Sequence, residues 1–178
     1  MPALAKGACR ILMAFLTKIY GLLVSASSNL QSPFLLLVRL YWGFQMMQTG
    51  WGKLHSLARV TGFFTSLGVP LPSVNAPLIS GLEFVGGILI MLGLGSRLLA
   101  LLLTADMLVA YIVGDREALF SIFSDPDKFY AAAPYTFLIA FLIVLIFGPG
   151  RISLDALLAR RRGAGTLPGR SPGPDLRR

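Results

Sequence analysis

Apolar residues in this chain gather into long runs, and the breaks between runs are marked by glycine, proline and charge. The first run covers 33–54 and opens on Ser32-Pro33, a helix N-cap followed by a first-turn proline. At 1.5 Å per residue it is roughly 33 Å long, enough to cross a hydrocarbon core of about 30 Å. Its hydropathy is the weakest of the set because it carries Arg39, Gln45 and Gln48. A second run, 76–94, contains Glu83, and a third, 98–114, contains Asp106, with the tight turn Gly93-Leu94-Gly95-Ser96-Arg97 between them. The fourth, 133–147, carries no charge and stops at Gly148-Pro149-Gly150. The pattern predicts an all-α fold, a four-helix transmembrane bundle over 33–150.

The connectors have their own signals. Residues 55–75 hold a short surface helix at 57–67, ended by Gly68-Val69-Pro70-Leu71-Pro72. Residues 115–132 are acidic on balance and carry Phe120, Phe123, Phe129 and Tyr130, which suit a headgroup boundary. There is no internal repeat.

Both flanks read differently. Residues 1–32 are expected to be an interfacial amphipathic helix and a polar linker. Lys6, Arg10 and Lys18 share one face, Ile11, Leu12, Phe15, Leu16, Ile19, Leu22 and Leu23 the other. A signal peptide is the rival reading, with Ser25-Ala26-Ser27 resembling a cleavage site, but its apolar core would be only 11–16. The C-terminal tail, 151–178, is basic, and from Ala159 it is rich in Arg, Gly and Pro, a composition expected to be largely disordered.

Composition supports the membrane reading. Of 178 residues, 55% are hydrophobic and 13% charged, and the mean hydropathy is +0.73; a soluble domain carries about 25% charged residues. The net charge of +8 does not indicate nucleic acid, because the cations cluster at the two flanks, where a membrane protein keeps its cytoplasmic anchors. The lipid bilayer, with its anionic headgroups, is the expected partner. Both termini and the Arg97 turn are then cytoplasmic, at the inner (plasma) membrane. A single cysteine, Cys9, excludes an intrachain disulfide or dithiol relay. A single histidine, His55, argues against a protein-built metal or haem site.

Candidate chemistry lies in the ionisable residues of the runs. A carboxylate in hydrocarbon costs about 3 kcal/mol or more unless it is paired, protonated or hydrated. Counting rise per residue puts Arg39 about 9 Å and Asp106 about 13 Å above the cytoplasmic end. That favours an Arg39–Asp106 ion pair, leaves Arg39–Glu83 open, and sets Glu83 apart from Lys53. Arg39, Gly43, Met46, Gly50 and Lys53 share one stripe of the first run; Glu83, Gly87, Ile90, Leu94 and Arg97 share one of the second. Such small-and-charged stripes point into a bundle, with Gly43, Gly50, Gly86 and Gly87 as helix-packing positions. Arg39, Lys53, Glu83, Arg97 and Asp106 are the buried polar-site candidates; no catalytic residue is assigned.

Four segments, Arg39-Leu40-Tyr41-Trp42-Gly43, Gly50-Trp51-Gly52-Lys53-Leu54, Glu83-Phe84-Val85-Gly86-Gly87 and Leu92-Gly93-Leu94-Gly95-Ser96-Arg97, resemble the DoxX family of small four-helix membrane proteins. The resemblance covers 33–150 and implies an inner-membrane bundle in which Arg39, Lys53, Glu83 and Arg97 match recurrent polar positions. It also implies a link to membrane oxidoreductases, some relatives being named as a small subunit of a thiosulfate:quinone oxidoreductase.

Three functions remain open at this level. The first is a quinone-linked or redox-associated membrane subunit, working with a partner subunit or as a homo-oligomer. The second is a small-solute or proton carrier. The third is a non-catalytic scaffold or assembly factor, in which the charges only fix helix register.

Overall fold

A computed structural model describes the backbone of residues 2–164, and side chains at residue 13 and over 15–161. The described residues are helical throughout, with no strand among them. The elements are α1 (Pro2–Leu54), α2 (Leu57–Ser66), α3 (Pro72–Leu92), α4 (Ser96–Val113), α5 (Arg116–Phe120), α6 (Pro126–Ala131), α7 (Pro134–Phe147) and α8 (Leu154–Ala164).

The bundle is a ring of four helices in which α1 packs on α3, α3 on α4, α4 on α7 and α7 on α1. The polarity of a soluble protein is inverted. Leu37, Phe44, Leu78, Val85, Leu98, Leu101, Ile112 and Ile146 face outward, while Arg39, Ser80, Glu83, Ser96 and Thr104 are buried. An exterior this apolar suits lipid, and each helix satisfies its own backbone, as spanning segments must. Within α1 the stretch Phe15–Leu54 is long and apolar enough to cross a membrane, as are α3 and α4. The fourth bundle helix, α7, has only 14 residues, about 21 Å.

Glycine sets the closest contact, the antiparallel seam between α1 and α3. A Cβ at Gly50 would lie 2.3 Å from the Phe84 backbone nitrogen, and one at Gly87 would lie 2.6 Å from the Gly43 carbonyl oxygen. A Cβ at Gly43 would meet the Met91 side chain at 2.8 Å. Gly86 turns the other way, towards Leu103 of α4. On both helices small residues recur at a spacing of seven, Gly43 and Gly50 against Ser80 and Gly87, so the two seams stay in step.

The flanks differ from expectation. No linker separates an N-terminal helix from the first run: α1 is continuous for 53 residues with Pro33 inside it. Ser, Asn and Gln at 25–32 weaken a helix only slightly, and Pro33 removes one backbone bond without ending it. At about 80 Å this helix far exceeds a bilayer core of about 30 Å. Its packing against the bundle starts near Ser32, whose hydroxyl accepts from the Arg151 N–H at 3.3 Å. The C-terminal segment is also ordered further than composition suggests. Ser153 Oγ accepts from the Ala156 N–H at 3.1 Å, capping α8, which runs to Ala164. The rest of the expected disordered tail, 165–178, and the side chains of Lys6, Arg10, Ile11 and Leu12 lie outside the described residues.

Replacing the seam glycines tests this packing. Gly50→Ala and Gly87→Ala should each destabilise the bundle by about 1–3 kcal/mol in unfolding titrations from mild detergent into SDS. Gly52→Ala and Gly81→Ala, where a Cβ meets nothing within 4 Å, should be neutral or slightly stabilising.

Candidate functional site

The expected single polar centre is two centres at opposite ends of the bundle. Arg39 pairs with neither Asp106 nor Glu83. Its Nη1 donates to the Pro149 carbonyl, and its Nη2 donates to the carbonyls of Met91 at 3.3 Å and Ile152 at 3.0 Å. The Met91 carbonyl is among the last of α3, where a helix leaves acceptors unsatisfied and its dipole is negative, while Pro149 and Ile152 belong to the turn between α7 and α8. Gly93, at φ 72°, closes α3 with its own N–H on Ile90 and that of Leu94 on Leu89. A Cβ at Gly93 would come within 2.9 Å of the Arg39 guanidinium carbon, so the glycine also makes room for the cation.

The same turn carries a residue that the sequence reading missed. Asp155 accepts from the backbone N–H groups of Gly95 at 2.8 Å and Ser96 at 2.9 Å, while its own N–H donates to the Gly93 carbonyl at 2.9 Å. It thus stabilises the positive N-terminus of α4, as Arg39 stabilises the negative C-terminus of α3. Partial burial disfavours the Asp155 charge, but the Ser96 and Gly95 N–H donors and the Arg39 cation outweigh it and hold its carboxyl below the usual range. The signal in sequence is Ser153-Leu154-Asp155 ahead of an apolar run, a helix start inside what composition marks as tail. Arg97, expected to be buried, is exposed, and its guanidinium lies beside Gly148.

At the far end, Lys53 Nζ donates to Glu83 Oε1 at 2.5 Å. Glu83 is 2% exposed, whereas the Lys53 side chain keeps 33% of its surface. Straight-rod depths set these residues apart; the α1–α3 seam places Lys53 close enough for its four-carbon stem to reach in. Asp106 of α4 lies within electrostatic range of both. Glu83 Oε2 and Asp106 Oδ2 are buried without a hydrogen-bond partner.

All three line a cavity of about 580 Å³ between α1, α3, α4, the start of α7 and the 55–75 connector. Its walls are otherwise mostly apolar, with Met46, Leu82, Met107, Val109 and Phe137 from the bundle helices and Phe63, Phe64, Leu67 and Val69 from the connector. Volume and lining match those of small-molecule sites, apolar with a few convergent polar groups. His55 is exposed, and its ring lies tilted against that of Trp51 with centroids 4.1 Å apart, away from this wall. Among the described residues no cluster of His, Cys, Asp or Glu could hold a metal ion.

Fold and site together define a helical membrane protein with a polar, cavity-lined interior. The chain belongs to the DoxX family, whose model matches residues 34–116. It is 28% identical over 134 residues to Inner membrane protein YqjF of Escherichia coli, covering 75% of this chain and 98% of that protein. It is 30% identical over 139 residues to Uncharacterized membrane protein Rv3486 of Mycobacterium tuberculosis, covering 74% and 85%. It is 26% identical over 132 residues to "Putative oxidoreductase CatD" of Bacillus subtilis, covering 74% and 92%. No solved structure matches.

The Lys53–Glu83 pair is separable by a double-mutant cycle. Lys53→Met strands a buried carboxylate and should cost about 3 kcal/mol, while adding Glu83→Leu should restore most of that loss. Unfolding in detergent with an SDS titration measures both.

Proposed function

We propose that this protein is the membrane-embedded subunit of a redox assembly and that its cavity holds a quinone. The observation that carries the reading is the cavity itself: hydrocarbon walls beside one ammonium and two carboxylates with free oxygens. A quinone needs an apolar berth for ring and tail, a donor for a ring oxygen, and a proton supply. Lys53 is the donor, and Glu83 and Asp106 are placed to hold and pass protons. When bound, the quinone supplies the electron-accepting chemistry. The lone Cys9 provides no dithiol relay, so electrons come from a partner subunit. The word oxidoreductase in the name of CatD is in keeping with this. Arg39 and Arg97 take no ligand role, since neither lines the cavity.

For orientation, we propose that the Arg39 end faces the cytoplasm, with both termini. Arg97, Arg151, Arg160 and Arg161 follow the positive-inside bias there, and Asp115, Glu117, Asp125 and Asp127 belong to the opposite end. With Cys9→Ser as background, an impermeant thiol reagent added outside cells should label Phe123→Cys and spare Leu157→Cys. The reverse pattern overturns the topology.

Quinone binding is checked on protein purified in native lipid. Extracted lipid should contain quinone in stoichiometric amount, and Glu83→Gln with Asp106→Asn should slow quinone-linked electron flow in membranes by about a hundredfold. Absence of quinone together with unchanged flow rejects the reading.

A further inference from the structure

The charge of the cavity wall points to a second class of ligand. Its ionisable residues are Glu83, Asp106, Asp115 and Lys53. Lys53 balances Glu83. Neither Asp106 nor Asp115 takes part in an ion pair among the described residues. Asp106 is the deeper of the two, and its Oδ2 is buried without a partner. The wall therefore carries more carboxylates than cations, next to the apolar faces of Met46, Leu82 and Met107. Phe63, Phe64 and Phe137 add three aromatic rings. An unbalanced carboxylate in such a setting is stabilised by an incoming positive charge, and aromatic faces attract a desolvated cation.

We propose that the cavity binds lipophilic organic cations, with Asp106 as the counter-ion and the aromatic residues enclosing the apolar body. The site opens on the side of the bundle, where Val109 and Leu102 are exposed, so such ligands reach it from the bilayer. At about 580 Å³ it accommodates a drug-sized molecule. Lys53 does not oppose this, because its charge is held on Glu83 Oε1. The proposal shares its cavity with the quinone reading but not its argument: one concerns an uncharged ring, the other the excess of negative charge.

Equilibrium dialysis of the full chain in lipid nanodiscs tests it, with empty nanodiscs subtracted. The probes are tetraphenylphosphonium and the uncharged triphenylphosphine oxide. Tetraphenylphosphonium should bind saturably at one site. Asp106→Asn should weaken it by about tenfold or more and leave the uncharged probe unaffected. Asp106→Glu, which keeps the charge, should retain binding and serves where Asp106→Asn fails to fold. Equal affinity for the two probes, undiminished binding in Asp106→Asn, or loss of binding in a folded Asp106→Glu overturns the proposal. A quinone found in the extracted lipid with no saturable phosphonium binding sinks this proposal alone. Phosphonium binding, with no quinone extracted and electron flow unchanged in the double variant, sinks only the earlier one.

Discussion

The contact between α1 and α3 is the constraint on which the rest depends. Two helices can run with backbones in contact only where side chains are absent, and Gly43, Gly50 and Gly87 supply those gaps. Once the seam is set, the depth of every polar group on the two helices is set with it. Lys53 is brought to Glu83 at one end, and Arg39 to the α3–α4 turn at the other. A shift by one helical turn, about 5.4 Å, would separate both sets of partners.

The two ends solve the cost of buried charge in different ways. Arg39 is 1% exposed and forms no salt bridge among the described residues; its partners are carbonyls left over where α3 ends and beyond α7. A planar guanidinium carries five donors in a fixed fork, against three on an ammonium, and so is suited to serve several carbonyls at once. Asp155 completes the arrangement by accepting from the first N–H groups of α4. This end is a clasp around the α3–α4 turn, in which, of the Arg39 guanidinium, only Nε is buried without a partner. The other end pairs one acid with one base and leaves carboxylate oxygens beside open space.

Much of the fold was legible in the sequence because hydropathy runs and glycine stripes report directly on lipid exposure and close packing. The four bundle helices, the short connector helix α2 and the glycine seam are all visible there. The pairing of charges was not. Rise per residue fixes depth only along a straight, independent helix, and an Arg or Lys side chain reaches further than the differences being judged. The favoured Arg39–Asp106 pair also overlooked the carbonyls at helix ends, which no residue letter displays. Asp155 was hidden for a related reason: its value comes from the α4 N-terminus far away in sequence. The continuity of α1 through 25–32 shows that a polar stretch without a strong breaker is a weak reason to end a helix.

A buried ion pair often does no more than fix the register of two helices. In this bundle the register of α1 and α3 is already held by backbone contact at three glycines, so Lys53 and Glu83 are not required for it. Asp106 has no packing role of that kind, because it lies on α4 and makes no ion pair among the described residues. Groups that cost free energy to bury and that the packing does not need are best explained by what they face. They face the same apolar cavity, and that shared exposure favours a ligand or proton site over a purely structural one.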